Sequence, residues 1–183
     1  IYQCDWSSDV CSSDLGGKQT VTYDLNPNAK WSDGKTIGLA DFVGMWNALK
    51  GVDKTYKITS SVGYEKIESI KKGANDNQIV VTFKETYADW QPLFGGLKPA
   101  SLTKDAATFN DSWKNGPTVW AGPFRPATGK GASSFLDKVG RLITVERNPK
   151  WWGDKPVLDK VVLDRKSTRL NSSHTDISRM PSS

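Results

Sequence analysis

Residues 25–49 read LNPNAKWSDGKTIGLADFVGMWNAL, and the fold class turns on how this stretch divides. Its first residue closes the run TVTYDL, in which Val21, Tyr23 and Leu25 alternate with polar residues as in a half-buried strand. Asn26-Pro27-Asn28 stops that strand, and Ser32-Asp33-Gly34 is a second turn signal. From Thr36 to Gly51 the spacing changes. Phe42, Val43, Trp46 and Leu49 fall on one apolar stripe of a helix, with Thr36 as N-cap and Gly51 as the stop. Strand, turn and helix in quick succession predict an α/β domain. Trp31, just ahead of the turn, is expected to anchor packing. Asp41 and Asp53 lie about three helical turns apart, too far to act as a carboxylate pair, and are expected on solvated surface.

Working outward, GYEKIESIKKGANDNQIVVTF (63–83) reads as two strands around a Gly-Ala-Asn-Asp-Asn turn; Tyr64, Ile67 and Ile70 in the first would also suit a helix, and the turn with its β-branched partner strand favours a hairpin. YADWQPLFGGL (87–97) and LTKDAATFNDSW (102–113) are expected to be helices, the latter ended by Asn115-Gly116-Pro117. VWAGPFRPATGKGASS (119–134) reads as a Gly/Pro/Ser-rich loop. GRLITVERNP (140–149) is expected to be a strand, and WWGDKPVLDKVVL (151–163) a turn leading into a last apolar strand. No internal repeat is present. The irregular mixture predicts a mixed sheet with short helices.

The 183 residues carry a formal charge of +5, but Lys and Arg are scattered singly, so the sequence predicts no nucleic-acid partner. No apolar run reaches the roughly 18 residues of a transmembrane helix, and the N-terminus lacks the basic-then-apolar pattern of a signal peptide.

The two ends differ from the middle. Residues 1–15 include CDWSSDVCSSDL, and residues 164–183 begin DRKSTRLNSSH. One codon choice for the first has a reverse complement that, in a shifted frame, translates into the second. Both resemble a short-read sequencing adapter. Residues 1–15 and 164–183 are therefore expected to be non-native, and 16–163 to be a piece of a longer gene product. Cys4, Cys11 and His174 then fall outside the natural segment, which contains no Cys and no His.

This inventory bounds the chemistry. A Ser-His-Asp triad and a thiol nucleophile are excluded from 16–163, as is a soft-ligand metal site. Gly129-Lys130-Gly131 does not fit a phosphate-binding loop. No spacing argues for paired catalytic acids. The expectation is a protein that is not an enzyme and carries no cofactor and no metal. What remains is aromatic: Trp31, Trp46, Trp90, Trp113, Trp120, Trp151 and Trp152. Trp46, Trp90 and Trp113, on helix stripes, are expected in the core. Trp120, beside Gly122 and Phe124 in a loop, is the candidate ligand contact, and these three are the predicted ligand-binding residues.

Three stretches together resemble a known family: LNPNAKWSDGKTIGLADFVGMWNAL, YEKIESIKKGANDNQIVVTFKETYADW, and VWAGPFRPATG followed by ITVERNPKWWGDKPVLDKVVL. They are similar to the extracytoplasmic solute-binding proteins, family 5, of ABC importers, the oligopeptide/dipeptide-binding type. AGPF and NPKWWGDKP look most like actinobacterial members. The resemblance implies a partial periplasmic-binding-protein class II fold, the N-terminal lobe with its extra subdomain. It implies capture of peptides or similar small solutes outside the membrane, delivery to an ABC permease, a monomer, and a periplasmic or lipoprotein location. Gly38 and Ala121 depart from the family's usual residues. WSDG and NPKWWGDKP are read as structural signatures. With the second lobe absent, the chain alone is expected to bind no ligand tightly. The competing reading is a freestanding carbohydrate- or protein-binding domain that uses exposed tryptophans.

Overall fold

The structure, a computed structural model, describes residues 18–130 and 134–164. The readings made for Cys4, Cys11, Gly131 and His174, and for nearly all of the two terminal segments, lie outside the described residues.

Strand β1 (Thr20–Asp24) buries Val21 and Tyr23 and turns its alternate residues outward, as its period-2 pattern requires. The hairpin β2 (Ile67–Lys72) and β3 (Gln78–Phe83) forms around the predicted turn. The sheet order is β1-β3-β2, antiparallel throughout, with Val21 opposite Val81 and Tyr23 opposite Ile79. Ile79, Val81 and Phe83 are fully buried, so the β-branched run at the centre of the sheet carries its apolar face.

Helix α1 (Leu39–Leu49) packs on this sheet. Its buried positions are Asp41, Phe42, Met45 and Ala48, while Val43, Trp46 and Leu49 are only half-buried. The expected stripe is thus rotated. The indole of Trp46 sits at the margin, where Nε1–H donates to the Tyr64 carbonyl at 3.0 Å. The N-cap is Gly38 and not Thr36, because Asp41 in the first turn accepts from the Gly38 N–H at 2.9 Å. Gly51 does end the helix, in the left-handed region at φ 76°. An aromatic cluster fills the space between helix and sheet: Phe42 lies 4.8 Å from Phe94 and 5.4 Å from Tyr23, ring centre to ring centre.

Two expected helices change form. Residues 87–97 are a series of turns. Phe94 takes φ 63° with its side chain fully buried, which places the ring in the core and breaks helical backbone geometry. Residues 102–113 fall into α2 (Ala100–Thr103) and α3 (Ala106–Asp111). Asp105 adopts extended backbone angles between them, and its carboxylate accepts from the Thr108 N–H at 2.7 Å, starting a new helix. Trp113, expected in the core, is 46% exposed. Lys98 Nζ lies 5.0 Å from its ring and 4.1 Å from that of Phe109.

The second sheet is built from β4 (Phe124–Pro126), β5 (Leu136–Asp137), β6 (Leu142–Arg147) and β7 (Lys160–Asp164), again antiparallel. β4 and β5 share one edge of β6, and β7 takes the other. β4 lies within the stretch expected to be loop. Three residues with Pro126 at the end carry no periodic signal, and only the partner strand β6 gives them a ladder. The α/β class with short helices stands, its strands dividing between two sheets.

Candidate ligand cleft

The WSDG turn is built for a tight reversal. Gly34 has φ 87°, where any other residue would be strained, and its N–H donates to the Trp31 carbonyl at 2.9 Å. The Trp31 N–H donates to the Lys35 carbonyl at 2.8 Å, closing the turn from the other side. Asp41 fixes its orientation. This carboxylate accepts from Trp31 Nε1–H at 3.2 Å, from the Gly38 N–H, and from the Ala100 N–H at 2.6 Å. Asp41 is 6% exposed, which overturns its expected place on solvated surface. A buried carboxylate needs such donors to offset lost hydration. Trp31 is buried as expected.

The turn meets two distant segments. The Ser32 N–H donates to the Trp120 carbonyl at 2.7 Å, and the Trp120 N–H returns a bond to Ser32 Oγ at 3.2 Å. Asn148 then ties the Trp120 segment to the turn after β6: its Nδ2–H donates to the Gly122 carbonyl and its backbone N–H to the Pro123 carbonyl, both at 2.8 Å. Three turns from two sheets are joined by backbone and short-side-chain bonds.

Between them is a cavity of about 360 Å³, lined by Trp31, Trp120 and Trp152, by Ser32 to Gly34, and by the charged residues Lys30, Asp33, Arg125 and Lys150. Asp33 pairs with Lys35 at 3.3 Å and Arg125 with Glu146 at 2.8 Å. Of the three predicted ligand-binding residues, Trp120 lines this cavity. Gly122 is buried behind the wall, where its carbonyl serves Asn148. Phe124 is half-buried in β4 opposite Arg147. Sequence reasoning missed Lys30, Ser32, Asp33, Arg125, Lys150 and Trp152 as cavity residues. The WSDG and NPKWW stretches were legible as turns, but the contact that makes them walls spans 88 residues between Ser32 and Trp120.

Among the described residues, no group of three or more His, Cys, Asp and Glu side chains is placed to hold a metal ion. Nor is any helix among them long and apolar enough to cross a membrane.

The arrangement is a hollow lined by three tryptophans and four charged residues. Comparison places it. Residues 13–172 match the bacterial extracellular solute-binding proteins, family 5, middle region. The chain belongs to that family, one of solute-binding proteins and not of enzymes. The oligopeptide-binding protein OppA of Mycobacterium tuberculosis is 42% identical over 146 residues, 78% of this chain and 24% of that protein. The probable monoacyl phosphatidylinositol tetramannoside-binding protein LpqW of the same organism is 29% identical over 81% of this chain and 22% of its own length. Among solved structures, the periplasmic EDTA-binding protein EppA superposes with a TM-score of 0.67 at 32% identity, over 86% of this chain and 29% of that one. The fold is therefore part of the family-5 solute-binding-protein fold, and the mycobacterial relatives fit the actinobacterial wording of the motifs. The chain spans about a quarter of the length of the curated relatives it matches.

Proposed function

We propose that this chain is part of the substrate-binding component of an ABC importer, one that captures peptides or similar small solutes outside the membrane and delivers them to a membrane permease. The observation that carries the reading is the 42% identity to an oligopeptide-binding protein over most of the chain. The cavity supports it: family members close two lobes on a solute, and an aromatic hollow with a few charged groups suits an oriented small molecule. The likeness to an EDTA-binding protein supports a solute range wider than peptides. Trp120 is the proposed contact, with Gly122 and Phe124 shaping its segment. The protein works without catalysis or cofactor, as a monomer held outside the membrane, as a free periplasmic protein or a lipoprotein. Residues 16–163 are its N-terminal-lobe segment, and the two ends are adapter-derived.

Calorimetry on the complete gene product with a panel of short peptides tests this. Binding in the micromolar range or tighter is expected, with far weaker binding to the 183-residue chain. A complete product that binds none of them overturns the peptide reading; residues 16–163 that alone fold cooperatively and retain affinity for an oligosaccharide would point instead to the freestanding aromatic-rich domain. The nucleotide sequence of both ends tests the boundaries directly, because an adapter origin requires the two to be reverse complements.

A further inference from the structure

We infer that this cleft selects solutes carrying an anionic group, a carboxylate or its equivalent, through Lys30 and Lys150 beside Trp120 and Trp152. The inference rests on the solute-binding reading above and names the chemical class of the solute.

Four charged side chains line the cavity, and two are already matched. Asp33, the one carboxylate among them, is paired with Lys35, and Arg125 is paired with Glu146. Neither Lys30 nor Lys150 forms an ion pair with any described residue. The uncompensated charge of the wall is therefore positive at two points. A cationic solute would have to take Asp33 from Lys35, and would meet two ammonium groups while doing so. An anionic one displaces nothing. Arg125 Nε and Trp152 Nε1 are buried N–H donors without an acceptor among the described residues; being shut off from solvent, they neither add to nor oppose the charge that a solute meets. The indole faces exclude part of the water that would otherwise screen the lysines, and a concave site concentrates their field. Both lysines are exposed, which keeps the preference modest, on the order of tenfold.

The probes are three tripeptides, acetylated at the N-terminus and amidated at the C-terminus: Ala-Ala-Glu, Ala-Ala-Gln and Ala-Ala-Lys. The Glu and Gln peptides are near-isosteric and differ in one negative charge; the Lys peptide carries one positive charge on a longer side chain. The 183-residue chain is titrated with each while its indole N–H resonances are followed by NMR, which reads millimolar affinities. The Glu peptide is expected to bind about tenfold more tightly than the Gln peptide and to shift the Trp120 and Trp152 signals, with the Lys peptide weakest. High salt should erase the difference. In a Lys30→Ala, Lys150→Ala double variant of unchanged melting temperature, the Glu and Gln peptides should bind alike. Equal binding of the Glu and Gln peptides to the unaltered chain, or a preference for the Lys peptide, overturns the inference and leaves the solute-binding reading standing. So does a chain whose indoles respond to no peptide while the complete gene product binds peptides by calorimetry. Failure of the complete product to bind any peptide overturns the broader reading instead.

Discussion

The carboxylate of Asp41 receives N–H donors from three places: the indole of Trp31, the first turn of α1, and the backbone of Ala100, 59 residues away. One side chain thus starts a helix, orients the tryptophan under the WSDG turn, and fastens the segment that leads into α2. Hydrogen bonds to a charged acceptor contribute about 1.5–3 kcal/mol each, and their loss strands buried donors. Asp41→Ala is expected to destabilise the chain by about 3 kcal/mol or more in urea denaturation. Asp41→Asn should cost less, because the amide oxygen still accepts while its NH2 faces a donor. Asp53→Asn, at an exposed position, should stay within about 0.5 kcal/mol. If the Asp41 and Asp53 variants melt alike, the central role of Asp41 is refuted. None of this was legible in the spacing of acids along the chain. Asp41 reads as surface because aspartate usually is surface, and its remote partner is a backbone N–H, which every residue but proline possesses.

Helix α1 shows how much a periodic pattern says about an element. Its existence and its glycine stop were legible from residues 36–51, since apolar residues at helical spacing and a residue free to adopt positive φ are local signals. Which face is buried was legible only approximately. Neighbouring positions on a helix differ by about 100°, so Phe42 belongs equally to a stripe through Met45 and Ala48 and to one through Val43, Trp46 and Leu49. The Tyr64 carbonyl, by accepting from the Trp46 indole, holds that residue at the edge and turns Met45 inward. Met45→Ala is therefore expected to cost about 2–4 kcal/mol and Val43→Ala about 1 kcal/mol or less. Chemical denaturation of both variants would reveal the reverse order if the expected stripe were the true one. The segments 87–97 and 102–113 failed as single helices for a related reason: a buried aromatic at positive φ and an internal Asp cap each override propensity.

At the scale of the molecule the two sheets are unequally packed. The main core cluster is drawn from β1–β3, α1, Phe109 of α3 and the turns that cover them. The second sheet leaves Val139, Val157, Leu158, Val162 and Leu163 largely exposed. Arg125 Nε, Thr144 Oγ1, Arg147 Nε and Trp152 Nε1, all from this sheet or the turn after β6, are buried without partners among the described residues. Local stability follows buried apolar contact. Amides of β1, β3 and α1 are therefore expected to exchange at least about 100-fold more slowly than those of β6 and β7 in hydrogen-exchange mass spectrometry. Uniform protection would show that the two sheets unfold as one unit.

By itself the sequence determined the family, the first strand, the β2–β3 hairpin, the existence and glycine stop of α1, and the two turns that became cleft walls. All of these rest on residues that are neighbours in the chain or repeat with a regular period. Only the tertiary structure decided that Ser32 and Trp120 clasp each other, that Asn148 locks the third wall in place, and that Lys30 and Lys150 line one cavity with no ion-pair partner among the described residues. Those contacts join points from 25 to 88 residues apart. They run through backbone groups and single polar side chains, which obey no period and leave no mark on the sequence between them.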